Sequence, residues 1–267
     1  MKGRVLIIAG SDSGGGAGIQ GDLKTVTCLG GYGATAITAL TVQNTLGVTG
    51  IVEVPPAMVA AQIAAVLSDI GADCLKTGML HDTAVVNAVA DALEAHGANI
   101  PLVMDPVMVA KGGAALLQPD TVSVLIARLL PRATLLTPNA PEAAALAGRP
   151  VETFEDLRAV AHQLRALGPR AVLAKGGHIA GDVVRDVLVD ADGEHVFEGP
   201  RIPTRHTHGT GCTLASAIAT GLAQGLALPA AVARARAYVA EAIRTAPGLG
   251  AGHGPLNHAH TVAAFTG

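Results

Sequence analysis

The chain has 267 residues, 50% apolar and only 15% charged, and its 18 basic and 21 acidic side chains give a formal net charge of −3. That balance lacks the basic footprint of a nucleic-acid binder, and a chain with no tryptophan and two tyrosines has few platforms for stacking bases. The mean hydropathy of +0.44 comes from apolar runs that polar residues or glycine break before the roughly 18 residues a membrane span needs, so a small molecule is the expected partner, with no nucleic acid and no membrane.

In chain order, short β-branched or apolar runs predict strands at 5–9, 36–42, 74–77, 101–105, 134–137 and 171–175. Between and after them, Ala-rich segments predict helices at 17–29, 56–68, 83–96, 119–130, 141–147, 154–167, 213–224 and 229–245. Several open on proline, whose missing N–H costs nothing at the first helical position. Residues 182–197 predict an antiparallel hairpin turning at Asp190-Ala191-Asp192-Gly193. Strands alternating with helices predict a mostly parallel sheet covered on both faces, and near-continuous runs such as Val5-Leu6-Ile7-Ile8-Ala9 fit that burial. With few aromatics, the core must be aliphatic. No linker, repeat or shift of composition divides the chain, so one domain over 1–267 is expected.

The run at 5–9 is too short for a signal-peptide core, and Gly10-Ser11-Asp12 closes it. A cytosolic protein is expected. Cys28, Cys74 and Cys212 are odd in number and widely spaced, which fits neither a disulfide framework nor a zinc site. Cys28 and Cys74 are expected to be small buried hydrophobes.

Two glycine clusters carry the chemistry. The first, Gly10-Ser11-Asp12-Ser13-Gly14-Gly15-Gly16-Ala17-Gly18, joins a strand to a helix and lets a ligand approach the backbone. Within it, Gly16 to Gly21 matches the dinucleotide pattern GxGxxG, but no acidic residue lies between Asp22 and Glu53 to bind a ribose. A dehydrogenase is therefore disfavoured, and a Walker A loop is absent. The second cluster, His208-Gly209-Thr210-Gly211-Cys212-Thr213, opens an apolar helix, so its free amides can converge on a phosphoryl group. Cys212 in the first turn is expected to have a lowered pKa and to serve as a thiolate base or a ligand contact.

Asp105, Asn139 and Glu142 lie in loops after predicted strands, where open α/β sheets bind ligands, and offer oxygen donors for Mg²⁺. Taken singly, each could instead be a helix cap, since Asn139 precedes a proline-started helix, but their shared location favours metal binding. Lys175 ends an apolar strand, positioned for a phosphate or a structural ion pair. His206 and His208 lack a third ligand at metal spacing and are expected to be packed or solvated.

These motifs, with Asp22-Leu23-Lys24-Thr25, Val42-Gln43-Asn44-Thr45, Lys76-Thr77-Gly78-Met79-Leu80, Asp105-Pro106-Val107-Met108, Thr137 to Glu142 and Gly252 to His258, resemble the hydroxymethylpyrimidine/phosphomethylpyrimidine kinases of thiamine biosynthesis. The match runs in order along nearly the whole chain. The resemblance implies an α/β ribokinase-like fold of three α/β/α layers, a mostly parallel central sheet and a small antiparallel hairpin. It further implies ATP- and Mg²⁺-dependent phosphorylation of 4-amino-5-hydroxymethyl-2-methylpyrimidine and then of its monophosphate. Carried over by position, Gln43, Asp22, Met79 and Gly10 line the pyrimidine pocket. The Gly209, Thr210, Gly211 and Cys212 amides form an anion hole, Lys175 and Thr210 touch ATP, and Asp105, Glu142 and Asn139 serve the metal region.

A carboxamide at Gln43 suits the paired N and NH₂ of an aminopyrimidine. The chain departs from relatives at Cys212, where sugar kinases of this fold carry Asp, at Arg236, often Lys, and at Val42, often Ala, which is expected to narrow the pocket. Alternatives are pyridoxal kinase, whose substrate also bears a ring hydroxymethyl, and a non-catalytic pyrimidine-binding module. The hairpin offers an exposed face for the homodimer that the resemblance implies.

Overall fold

The computed structural model describes all residues except 110–112, 114–115, 118–119, 264–265 and 267. The predicted strands form β1 (Arg4–Asp12), β2 (Tyr32–Asn44), β4 (Cys74–Thr77), β5 (Leu102–Met104), β6 (Leu135–Leu136) and β7 (Val172–Lys175), and the hairpin is β8 (Val183–Val189) with β9 (Glu194–Pro200). One strand, β3 (Gly47–Glu53), was not expected. Its two glycines and half-exposed edge position give it neither a continuous apolar run nor strict alternation.

All nine strands join one sheet in the order β3-β2-β1-β4-β5-β6-β7-β8-β9. The six strands from β2 to β7 in that order are mutually parallel, while β3, β8 and β9 add antiparallel edges. Pleating sends Leu6 and Ile8 of β1 into one apolar layer and Val5, Ile7 and Ala9 into the other. The first layer packs under α2 (Pro56–Asp69), α3 (Thr83–His96), α4 (Thr121–Arg128), α5 (Ala140–Ala147) and α6 (Phe154–Arg165). The second packs under α1 (Gly18–Cys28), α7 (Thr210–Ala223) and α8 (Leu228–Arg244). The residues predicted as 119–130 begin at Pro119, outside the described residues, and the described helix starts at Thr121.

Because β1 lies between β2 and β4, the chain leaves it in one direction and later returns on its other side. That reversal opens a crevice at the carboxyl ends of the parallel strands. Asp12, Thr77, Asp105, Thr137 and Lys175 all stand at this rim. Among the described residues no helix is long and apolar enough to cross a membrane, and the three cysteines are free thiols.

Candidate active site

Helix α7 starts three residues before its predicted position. Gly209 precedes it in the left-handed region at φ 83°, with no side-chain cap. The Thr210 amide is engaged by the Thr207 carbonyl at 3.3 Å and its hydroxyl donates to the same oxygen at 2.7 Å, so Thr210 directs neither donor outward. Among the described residues the Gly211 and Cys212 amides have no acceptor. These two N–H groups at the positive end of the helix are the chain's candidate anion hole.

A charge cluster lies against them. Lys175 Nζ donates to Asp105 Oδ1 at 3.0 Å, and Thr137 donates to the same oxygen at 3.2 Å. A Cβ added to Gly211 would stand 3.3 Å from Lys175 Nζ, so the helix start, the lysine and Asp105 are brought together. Burial pulls the Lys175 pKa down, but Asp105 and Glu142 more than offset it and hold the ammonium charged. Deeper, Lys76 bonds Asp22 at 2.8 Å with both side chains 0% exposed, and Ser216 donates to Asp22 at 2.7 Å. Asp22 is enclosed and supports the pocket from below instead of lining it.

Cys212 corrects the expectation of a thiolate. Burial, reinforced by the Asp22 and Asp105 carboxylates, pushes its thiol up to about 12 despite Lys76. Desolvation and carboxylate repulsion outweigh the helix dipole. Cys74 is buried with its pKa pushed up to about 12, the behaviour of a packed hydrophobe.

At the expected metal region, Asn139 and Glu142 close a capping box on α5: Asn139 Oδ1 accepts from the Glu142 amide at 2.9 Å and Glu142 Oε2 accepts from the Asn139 amide at 2.8 Å. The Asn139 oxygen is thus committed to the helix. No group of three His, Cys, Asp or Glu side chains among the described residues is arranged to hold a metal. Burial and the neighbouring Asp105 charge push Glu142 up to about 7, with Lys175 opposing. Two carboxylates facing one ammonium leave negative charge to neutralise. That suits Mg²⁺ held through water and substrate phosphates, and does not suit a closed protein cage.

On the other side of the crevice, a Cβ at Gly10 would lie 3.1 Å from Met79 Sδ. Met79 packs with Ala39 and Leu116 against Val48, Ile51 and Val107, an apolar wall suited to a ring. Gln43 is half-buried, with its carboxamide between Thr41 Oγ1 at 3.1 Å and His208 Nε2 at 3.4 Å. Val42 points to the opposite face of β2 and is 63% exposed, so it does not narrow the pocket. Arg236 is ion-paired with Asp186 and lies over the Phe197 ring, which gives it a packing role. His208 is buried on Asp12, as the packed alternative expected. Sequence reasoning missed Asp12, Lys76 and Ser216, although a lysine inside the apolar Cys74-Leu75-Lys76-Thr77 run was a usable signal.

Residues 12–257 match the family model described as phosphomethylpyrimidine kinase. A hydroxymethylpyrimidine/phosphomethylpyrimidine kinase of Streptomyces coelicolor is 51% identical over 95% of this chain and 93% of its own. The chain belongs to this kinase family. A thiamine biosynthesis bifunctional protein of Geobacter sulfurreducens is 57% identical over 96% of this chain, which spans about half (52%) of that longer protein. Among solved structures, Bacillus subtilis pyridoxal kinase in complex with ADP superimposes with a TM-score of 0.89 at 35% identity, over 97% of this chain and 98% of that one. Clostridium difficile phosphomethylpyrimidine kinase gives 0.80 at 40% identity, over 91% and 100%. The ribokinase-like α/β fold is therefore established.

Proposed function

We propose that this chain is one kinase domain that uses ATP to phosphorylate 4-amino-5-hydroxymethyl-2-methylpyrimidine, and then its monophosphate, in the cytoplasm. The observation that carries the reading is the pair of free Gly211 and Cys212 amides beside Lys175–Asp105, with Gly10, Met79 and Gln43 at the same carboxyl-end rim of the sheet. In-line phosphoryl transfer through a loose transition state needs chiefly positioning and neutralised charge. Gln43 reads the aminopyrimidine edge and Met79 packs on the ring, which aims the hydroxymethyl oxygen at the amides. Those amides and the Lys175 ammonium stabilise the equatorial oxygens. Cys212 begins as a thiol and so acts as a contact to the substrate oxygen; in a loose transition state the O–P bond forms as the bond to ADP breaks, and the hydroxyl proton leaves late, to the transferred phosphoryl group or to water. Asp105 and Glu142 would hold Mg²⁺ through water, and the ion would shield charge between the nucleotide phosphates.

Incubation with ATP, Mg²⁺ and the hydroxymethylpyrimidine is expected to yield the monophosphate and then the diphosphate; absence of both refutes the reading. The higher TM-score against pyridoxal kinase favours a second reading, in which pyridoxal is also accepted. Catalytic efficiencies on both substrates in one assay decide it, and the higher value is expected for the pyrimidine.

A further inference from the structure

We propose that Asp12 and His208 are positioning residues for this phosphoryl transfer, a clasp that fixes the first glycine loop, and through it the Gln43 end of β2, to the anion-hole loop; the proposal rests on the kinase reading above. Asp12 ends β1 and is buried. Its Oδ1 accepts from the Gly14 amide at 2.8 Å, and its Oδ2 from the Ala17 amide at 2.9 Å, the Gly16 amide at 3.2 Å and His208 Nε2 at 2.8 Å. A carboxylate only accepts, so His208 Nε2 carries the hydrogen. His208 in turn donates its backbone N–H to the Gly254 carbonyl at 3.1 Å, which ties the clasp to the tail.

The two glycine clusters touch where this pair spans them. A Cβ on Gly209 would overlap the Gly16 carbonyl, and a Cβ on Gly16 would stand 2.6 Å from His208 Cδ2. The glycines permit the approach and Asp12–His208 holds it. The same first loop grips Gln43: Ser13 Oγ accepts from the Gln43 amide at 2.9 Å and donates to its carbonyl at 2.8 Å.

Proton counting then orients the Gln43 side chain. Thr41 has one hydroxyl proton, and the Ser11 carbonyl takes it at 2.9 Å. Thr41 Oγ1 therefore accepts from Gln43, while His208 Nε2, its one hydrogen given to Asp12, has no lone pair to take an N–H and can be faced only by the Gln43 oxygen. These two neighbours turn the Gln43 NH₂ toward Thr41 and its oxygen toward His208. Without the imidazole the carboxamide is free to turn over, and the substrate meets the wrong polarity.

Initial rates for the wild type and for H208A, H208Q and D12N test this, with melting curves confirming each fold. H208A and D12N should raise KM for the pyrimidine about tenfold, the scale of one buried hydrogen bond, with KM for ATP within about twofold. H208Q, whose amide can replace the Nε2–H donor, should recover most of the loss. Both KM values unchanged, both moving together, or no rescue by H208Q overturns the clasp. Independently of turnover, ¹⁵N NMR should show a slowly exchanging His208 Nε2–H in the wild type that D12N loses. Its absence from the wild type also overturns the clasp, whereas a wild type inactive on the pyrimidine with that proton present refutes the kinase reading alone.

Discussion

A thiol and a carboxyl group near the helix start both depart from what their sequence positions imply, and each yields a measurement. Desolvation and the neighbouring Asp22 and Asp105 carboxylates keep the half-buried Cys212 protonated, its pKa pushed up to about 12. Iodoacetamide should therefore alkylate it at a rate that climbs about tenfold per pH unit from 7 to 9; a plateau below pH 8 would restore the thiolate. Glu142, lifted to about 7, binds its proton more tightly folded than unfolded. Its contribution of about 3 kcal/mol is present below its ordinary pKa of 4.5 and lost as pH rises through 7. His258, lowered to about 4 chiefly by burial, has the opposite slope below its ordinary 6.5, so the comparison must be with E142Q. In metal-free buffer, E142Q should gain several degrees of Tm relative to the wild type between pH 5 and 7.5. Mg²⁺ at pH 7.5 should raise the wild-type Tm more than that of E142Q. Parallel melting profiles would contradict this assignment.

The join between β1, α1 and α7 depends on glycines that play unequal parts. Gly209 is left-handed and its missing Cβ makes room for the Gly16 carbonyl, whereas Gly225, at φ 86°, has open space around its added Cβ. G225A should cost about 1 kcal/mol, the left-handed penalty alone, while G209A should lower Tm far more and reduce turnover at least a hundredfold. Equal Tm losses in the two variants would show that the loop contact carries no weight. Elements of this kind were legible where one physical signal dominated: continuous apolar runs gave the parallel strands, and proline starts gave α2 and α5. The edge strand β3 lacked such a signal, because a strand with one neighbour and two glycines looks like a loop. The site was legible as a set of motifs but not as a set of bonds. Asn139 capping α5, Asp22 sunk on Lys76 and the protonated Cys212 all depend on neighbours that the sheet brings from distant positions.

For the molecule as a whole, the sheet ends in two edges of different character. Leu40 on β2 faces Val52 on β3, and with Val42 they form an exposed apolar face, at 48%, 64% and 63% exposure; the hairpin exposes Val183 and Val196. We propose self-association through the hairpin face, with a sedimentation mass of two chains expected and a single-chain mass removing the idea. The catalytic claim is reached most directly by a crystal structure with ADP, Mg²⁺, the hydroxymethylpyrimidine and a planar fluoride mimic of the migrating phosphoryl group. Fluorine atoms about 3 Å from the Gly211 and Cys212 amide nitrogens, with Gln43 on the ring, are the predicted result. A mimic bound away from the start of α7, with those amides facing only water, would contradict the account.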